Sequence, residues 1–263
     1  MNLTTPVIDA LLSNEHNTRR LLISCYRRLH RHYRDKVIEQ HHRILAGPHE
    51  GLKLPKSIAH GNLSFPQVMG TYESHISDVL EQHVANYSRF VEFGCACGVY
   101  TNGMAYTYDM TAFGIDLDAE QIDVANEVTQ LNGLTGVSHV AEKPGYDPNP
   151  YVKDGDLVMI DIEGHEWGLI DALDISALTG AMFIIELHEL GDKTVPELRD
   201  YIHAQFSPTH DVQFISEATH GTRTPPETWA HLQEMGIPRR LASILLAELR
   251  AIYQLWAIIT PKA

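Results

Sequence analysis

The feature that most constrains the fold is a series of short apolar runs that alternate with helical patterns after Ser88. The runs are apolar on both faces, as is typical of strands in a parallel sheet that helices cover on both sides. This alternation predicts a doubly wound α/β fold. The five strands that we predict are Arg89–Ala96, Thr111–Leu117, Val137–Glu142, Asp156–Ile162 and Ala181–His188.

Two later β-like runs, Asp211–Glu217 and Ile252–Thr260, flank a long helical insertion around Thr228–Arg250. Because they follow the five alternating units, we expect them to add an antiparallel hairpin at one edge of the sheet. The predicted fold class is therefore α/β, with five parallel strands and an antiparallel edge hairpin.

The N-terminal part of the chain is predicted to be helical. Between Thr18 and Ala46, apolar residues recur at helical spacing, and Gly47-Pro48 ends that pattern. A shorter helix is predicted to end at Leu12, and another helical pattern precedes the first strand. We divide the chain into a helical extension, residues 1–87, and a sheet domain, residues 88–263. We expect the extension to cover the site or to form a homo-oligomer, more than to support the core of the sheet domain.

Charge is distributed unevenly along the chain. Residues 1–60 contain ten Lys and Arg residues and five Asp and Glu residues, whereas the whole chain has a net charge of −14. The acidic remainder argues against nucleic acid as a substrate. Three cysteines are too few for a disulfide framework. No targeting segment or membrane span is apparent, so we expect a cytoplasmic protein.

The first predicted strand ends in a glycine-rich turn before a helix. A dinucleotide fold would show G-x-G-x-x-G at this point, whereas this chain has E-x-G-x-x-x-G. The acid would repel a pyrophosphate, but it suits the ammonium group of an amino-acid moiety, which S-adenosylmethionine carries. Free N–H groups of the following helix suit a carboxylate. The residues that we assign to this part of a cofactor site are Glu92, Gly94, Cys95, Gly98 and Tyr100.

Acidic residues also follow the second and third strands. A carboxylate at the end of the second strand can accept hydrogen bonds from both hydroxyls of a ribose, so we assign Asp116 and Leu117 to the cofactor site. Asp118 is expected to cap the next helix. Glu142 is placed to accept a hydrogen bond from the amino group of adenine, with a solvated loop acid as an equal alternative.

Ionisable side chains crowd the ends of the fourth and fifth strands. Asp161, Glu163 and His165 follow the apolar start of the fourth strand, and Glu186 and His188 end the fifth. Side chains alternate along a strand, so Glu186 and His188 can share a face. Two adjacent strand ends that carry Asp, Glu and His indicate catalysis or a metal site.

The segment from Phe90 to Leu190 resembles the FkbM family of S-adenosylmethionine-dependent methyltransferases. The motifs that carry the resemblance are EFGCACGVYT, Asn132-Gly133-Leu134, IDIEGHE and IIELH. The resemblance implies a class I methyltransferase fold, S-adenosylmethionine as cofactor, and methyl transfer to a hydroxyl oxygen of a sugar, glycan or natural product. The chain departs from the family's usual residues at Glu92, Ala96, Asp116-Leu117 and Met159.

In such an enzyme the acceptor hydroxyl must lose its proton to a base or to a hydroxyl-acidifying metal. We assign the base to His165, because histidine titrates near neutral pH, and a helix cap is the alternative. Asp161 is expected to lie beside the methyl donor, where it binds the cofactor or orients the acceptor, and Glu163 is expected to contact the acceptor. We predict no metal. A divalent ion, if bound, would have Asp161, Glu163, Glu186 and His188 as ligands.

Three other functions remain open from the sequence. A metal-assisted O-methyltransferase acting on sugars or small molecules would use the same strand ends. A nicotinamide-dependent oxidoreductase would share the sheet, although the glycine spacing argues against it. A non-catalytic cofactor-binding subunit would keep the first strand end and lose the fourth. The expected partner is a small-molecule or glycan acceptor, with a second copy of the chain as a further candidate through the N-terminal helices.

Overall fold

The computed structural model describes residues 15–60, 63–216, 224–246 and 254–262. The predicted helix ending at Leu12 and the last part of the helical insertion lie outside these ranges. The strands are β1 (Arg89–Phe93), β2 (Thr111–Asp116), β3 (Val137–Ala141), β4 (Leu157–Ile160), β5 (Met182–Leu187), β6 (His210–Ser216) and β7 (Leu255–Pro261). The helices are α1 (Glu15–His41), α2 (Phe65–Val68), α3 (Ser74–His83), α4 (Val99–Tyr108), α5 (Ala119–Asn132), α6 (Glu166–Ala172), α7 (Val195–Phe206), α8 (Pro226–Glu234) and α9 (Arg239–Leu246). In the described part of the chain, no helix has both the length and the apolar composition needed to cross a membrane.

All seven strands form one mixed sheet in the order β3-β2-β1-β4-β5-β7-β6. Strands β1 to β5 run parallel, and β7 is antiparallel to both of its neighbours, β5 and β6. The five parallel strands and the antiparallel hairpin are therefore confirmed. Within the hairpin, β7 lies inside the sheet and β6 forms the edge.

Both faces of the central strands β1, β4 and β5 are buried, as the two-sided apolar runs predict. Alternate residues of a strand point to opposite faces. Phe93 and Ile160 pack in one cluster with α6 and α7, whereas Phe90 and Met159 pack in a second cluster with α3 and α4. The strands are thus held from both sides, and the loops after β1, β2 and β4 meet at one edge of the sheet.

All five parallel strands end earlier than predicted, and the differences are largest at β1 and β4. β1 ends at Phe93, because Gly94 has a φ of 85° and starts the turn. β4 ends at Ile160, because the chain turns at Glu163 and Gly164, which both have positive φ. The acids that follow β4 therefore lie in a loop, where their side chains are free of the alternation that a strand imposes.

Helix α1 also ends earlier than its predicted end. His42 has a φ of 51°, and its carbonyl accepts a hydrogen bond of 2.8 Å from the amide of Leu54. The amide of Ile44 donates to the carbonyl of Leu52 over 2.9 Å. These bonds turn residues 42–54 back on themselves and bury Ile44, which is a larger gain than one further turn of exposed helix.

The described part of the predicted helical insertion consists of two helices, α8 and α9. Gly236, with a φ of 69°, and Pro238 separate them. Leu232 of α8 and Leu245 of α9 are buried against residues of the N-terminal extension. The hydroxyl of Thr228 donates to the carbonyl of Met69 over 2.9 Å, so the insertion and the extension pack together.

The extension shares a hydrophobic core with the sheet domain. Its buried apolar residues between 37 and 69 form one cluster with Cys97, Val99 and Val128 of the sheet domain. Most of them follow the end of α1, and only Val37 and Ile38 come from α1 itself. The packing is continuous across the proposed division at residue 87.

Candidate active site

A cavity with a volume of about 760 Å³ lies at the carboxyl ends of β1, β2 and β4. This volume falls in the range of pockets that hold a drug-sized ligand or a cofactor. The predicted site residues that line it are Glu92, Gly94, Cys95, Tyr100, Asp116, Leu117, Asp161, Glu163 and His165. The predicted residues that do not line it are Gly98, Glu142, Glu186 and His188.

The turn after β1 packs against the end of β4. A Cβ atom on Gly94 would lie 1.7 Å from the carbonyl oxygen of Asp161, so only glycine fits there. Gly98, with a φ of 71°, precedes α4 and lets that helix start close to Ala125 of α5. Gly98 therefore has a structural role in positioning α4, although it lies outside the cavity lining.

Glu92 is buried at the base of this turn. Its Oε2 atom accepts hydrogen bonds from the Thr101 amide, over 2.8 Å, and from the Thr101 hydroxyl. Burial raises the pKa of Glu92 to about 8, and the hydrogen bonds from Thr101 offset only part of that effect. A cation bound in the cavity would favour the ionised form of Glu92.

Asp116 is held in a fixed orientation by two backbone amides. Its Oδ2 atom accepts a hydrogen bond of 2.8 Å from Ala96, and its Oδ1 atom accepts one of 2.9 Å from Asp118. Asp118 accepts a hydrogen bond of 2.9 Å from the amide of Glu120, which confirms its predicted role as the cap of α5. Leu117 is 49% exposed at the mouth of the cavity.

Glu142 does not reach the cavity. It accepts a hydrogen bond from the hydroxyl of Tyr151, which holds the carboxylate outside the lining. Pro144, Gly145 and Tyr146 line the cavity at this corner instead. The sequence alone could not place them, because the loop after β3 has no regular periodicity.

His188 is surrounded by four carboxylates at the ends of β4 and β5. Its Nδ1 atom lies 2.9 Å from Oε1 of Glu166, and its Nε2 atom lies 3.5 Å from Glu186, 3.7 Å from Glu163 and 3.8 Å from Asp161. Burial lowers the pKa of His188, but the hydrogen bond with Glu166 and the nearby carboxylates more than offset this, so its pKa is raised.

Asp161 belongs to this cluster and also lines the cavity. Burial, together with the charge of Glu73, raises the pKa of Asp161 to about 7. In the described part of the chain, Asp161, Glu186 and His188 each place one ligand atom within 4.8 Å of the others. Two carboxylates and an imidazole form a donor set that a divalent transition metal accepts.

His165 lies exposed at the mouth of the cavity, directly before α6. His165 occupies the N-cap position of α6, but its side chain makes no hydrogen bond to the first turn of that helix. The amide of Gly164 in the same loop donates to Oε1 of Glu166 over 3.1 Å. The loop is thus fixed by Glu166, which leaves His165 facing the cavity mouth.

The structure adds Glu73 to the cavity lining, a residue that the sequence analysis missed. Glu73 is 1% exposed and accepts a hydrogen bond of 3.1 Å from the hydroxyl of Tyr100. An acid that precedes a helix is ordinarily a helix cap. The sequence therefore held no signal that this side chain points elsewhere.

The cavity lining is strongly acidic. Among the described residues, its charged members are five carboxylates and no Lys or Arg. Such a lining favours a cationic ligand and disfavours a pyrophosphate. The carboxylates are Glu73, Glu92, Asp116, Asp161 and Glu163.

Solved methyltransferases share the fold of this chain. A human methyltransferase 10 domain containing protein is 10% identical, with a TM-score of 0.50 over 88% of this chain and 95% of that chain. A SAM dependent methyltransferase from Aquifex aeolicus is 13% identical, with a TM-score of 0.43 over 72% and 90%. TrmK from M. capricolum, solved with S-adenosyl-homocysteine, is 14% identical, with a TM-score of 0.42 over 70% and 67%. At such identities the likeness is one of fold alone.

No protein-family model matches the chain, and no curated protein sequence matches it. The resemblance to the FkbM family therefore rests on the quoted motifs. The strand order and the human neighbour, at a TM-score of 0.50, together indicate an α/β fold like that of a solved methyltransferase.

Proposed function

We propose that the protein is an S-adenosylmethionine-dependent methyltransferase related to the FkbM family. It transfers the methyl group to a hydroxyl oxygen of a small molecule, sugar or glycan. The observation that carries this proposal is the acidic cavity at the carboxyl ends of β1, β2 and β4. S-adenosylmethionine bears a sulfonium and an ammonium group, which an acidic lining favours, whereas a nicotinamide dinucleotide bears a pyrophosphate that the ionised carboxylates of the lining would repel.

Residues at the ends of β1 and β2 hold the cofactor. Asp116, already oriented by two amides, accepts hydrogen bonds from the ribose hydroxyls. The turn at Gly94 brings bare backbone close to the ligand. Glu92 lies where the positive methionine part of the cofactor would favour its ionised form.

The reaction is a displacement at the methyl carbon, so most of the catalysis is positioning of the acceptor oxygen. Asp161 lies at the inner end of the β4 loop and His165 at its outer end, and both line the cavity. His165 takes the proton of the acceptor hydroxyl. Asp161 lies beside the methyl donor and contacts the cofactor, and Glu163 orients the acceptor by accepting hydrogen bonds from its other hydroxyls.

A metal-assisted reaction is the second candidate, and the cluster of Asp161, Glu186 and His188 favours it. The hydrogen bond from Nδ1 of His188 to Glu166 would leave Nε2 to face the ion, an arrangement common for metal-bound histidine. A divalent ion bound there would lower the pKa of the acceptor hydroxyl.

Transfer of label from methyl-labelled S-adenosylmethionine to a pool of small molecules and glycans tests the proposal. We expect label in a product that survives mild base, as an ether does. A parallel reaction with a chelator separates the two candidates, because only the metal-assisted reaction should stop. Binding of the cofactor without any transfer would point to a non-catalytic subunit instead.

A further inference from the structure

Glu73 has an unusual conformation for the residue that precedes a helix. Its φ of 47° and ψ of 41° are left-handed, which is unfavourable for a residue with a side chain. Its carboxylate makes no hydrogen bond to the first turn of α3, although acids before helices ordinarily do so. The surrounding packing thus holds the residue in a strained state that does not serve the helix.

The side chain of Glu73 instead lies in the wall of the cavity. It is 1% exposed, and its Oε2 atom accepts a hydrogen bond from Tyr100 in the first turn of α4. Its charge also acts on Asp161, at the end of β4. Glu73 therefore lies between the start of α4 and the end of β4, at the side of the cavity closed by the N-terminal extension.

Strain is concentrated at this cavity more widely. The non-glycine residues with positive φ in the described chain are His42, Glu73, Ala96, Asp109 and Glu163. Three of the five line the cavity: Glu73, Ala96 and Glu163. Strained backbone tends to be retained where it serves a ligand, and each of these segments approaches the cavity from a different part of the chain.

The chemistry of the cofactor indicates which group meets Glu73. The carboxylate and the ammonium of its methionine part are attached to the same carbon atom. If the carboxylate lies at the start of α4, the ammonium lies within reach of a group in contact with that turn. Glu73 is such a group, through Tyr100. An ammonium donates three hydrogen bonds, which a pair of carboxylates accepts well.

We infer that Glu73 is a cofactor-binding residue, and that with Asp161 it receives the ammonium group of S-adenosylmethionine. This inference rests on the proposed function. It also gives the N-terminal extension a role: the extension supplies one residue of the cofactor site and closes one wall of the cavity.

The test compares two ligands that differ in the amino-acid moiety. S-adenosylhomocysteine carries the ammonium, whereas 5′-methylthioadenosine has the same nucleoside and thioether without it. Calorimetry with Glu73→Gln should show a loss of about tenfold or more in affinity for S-adenosylhomocysteine. Affinity for 5′-methylthioadenosine should change by less than about twofold. The control Glu81→Gln removes the same charge from an exposed position of α3 and should change neither affinity.

Three results would overturn the inference. Equal affinities of Glu73→Gln and the wild type for S-adenosylhomocysteine would show that Glu73 does not contact the ammonium group. Equal losses for both ligands would make Glu73 a purely structural residue. A wild type that binds neither ligand would overturn the proposed function as well, which distinguishes the two failures. Glu73→Asp keeps the charge and should recover part of the S-adenosylhomocysteine affinity, and it provides the measurement if thermal melting shows that Glu73→Gln is unfolded.

Discussion

At the scale of single residues, Asp116 carries the ribose contact. We expect Asp116→Ala to lower the affinity for S-adenosylhomocysteine by about 1–3 kcal/mol, because the variant loses the acceptor for two hydroxyls. Asp116→Asn keeps one acceptor oxygen and should lose less. Since Asp116 also accepts hydrogen bonds from Ala96 and Asp118, thermal melting of both variants must accompany the calorimetry. Unchanged affinity of Asp116→Ala would show that the ribose does not bind there.

Glu92 should make the stability of the ligand-free protein depend on pH. Its pKa is raised from 4.5 to about 8 in the folded chain, mainly by burial. Between these values the folded chain binds more protons than the unfolded chain, so the free energy of unfolding falls as pH rises from about 5 to about 8. Chemical denaturation over that range should show a smaller fall for Glu92→Gln, which cannot ionise. Parallel curves for the two proteins would contradict the assignment.

Substitution of His165 distinguishes base catalysis from catalysis by positioning alone. We expect His165→Ala to keep its affinity for S-adenosylhomocysteine, because the cofactor is bound by other strand ends. Its turnover should fall by about a hundredfold, the usual contribution of a positioned base. His203→Ala, at an exposed position of α7, is the control and should retain full turnover. Near-full turnover of His165→Ala in the presence of a chelator would exclude both the base and the metal.

At the scale of elements, the contact between the β1 turn and the end of β4 defines the site. Gly94 and Gly155 have almost the same φ, 85° and 83°, but only at Gly94 would a Cβ atom collide, with Asp161. Gly155→Ala should therefore show the backbone cost alone, about 1–2 kcal/mol. Gly94→Ala should cost at least about 2 kcal/mol more in the free energy of unfolding, because the two loops must move apart. Equal costs in denaturant unfolding would mean that the two loops are not in contact.

The sequence predicts the elements better than their ends. The two-sided apolar runs predict β1 to β5, and Asp118 predicts the start of α5. Both signals lie within a few consecutive residues of the sequence. The end of α1 at His41 is different, since it depends on hydrogen bonds between residues 42 and 54. The break at Gly236 is visible as a glycine, but only packing against the extension decides that two helices form.

At the scale of the whole molecule, the N-terminal extension is part of the core. Removal of residues 1–69 would expose Cys97, Val99 and Val128, which the extension buries. We expect the shortened chain to lose more than about 3 kcal/mol in the free energy of unfolding, since each buried apolar side chain contributes about 1.5–3 kcal/mol. An unchanged melting temperature would show instead that the sheet domain is independent of the extension, as the sequence led us to expect.

The same distinction applies to the site: residues at strand ends can be predicted from the sequence, whereas contacts between distant parts of the chain cannot. Strand-end acids such as Asp116 and Asp161 can be predicted, because the carboxyl ends of parallel strands meet at one edge of a sheet. Glu73 could not be predicted, because its place in the cavity depends on how the extension packs on α4. Glu142 was placed by its strand, but a single hydrogen bond from Tyr151 turns it away.

The central claim is that the acidic cavity binds a cationic methyl donor, and one measurement tests it most directly. The wild-type protein is titrated by calorimetry with S-adenosylmethionine, S-adenosylhomocysteine and NAD under the same conditions. We expect both adenosyl compounds to bind at one site per chain and NAD to give no heat of binding, since its pyrophosphate meets five carboxylates. Binding of NAD without binding of either adenosyl compound would contradict the account and identify a dinucleotide-binding protein.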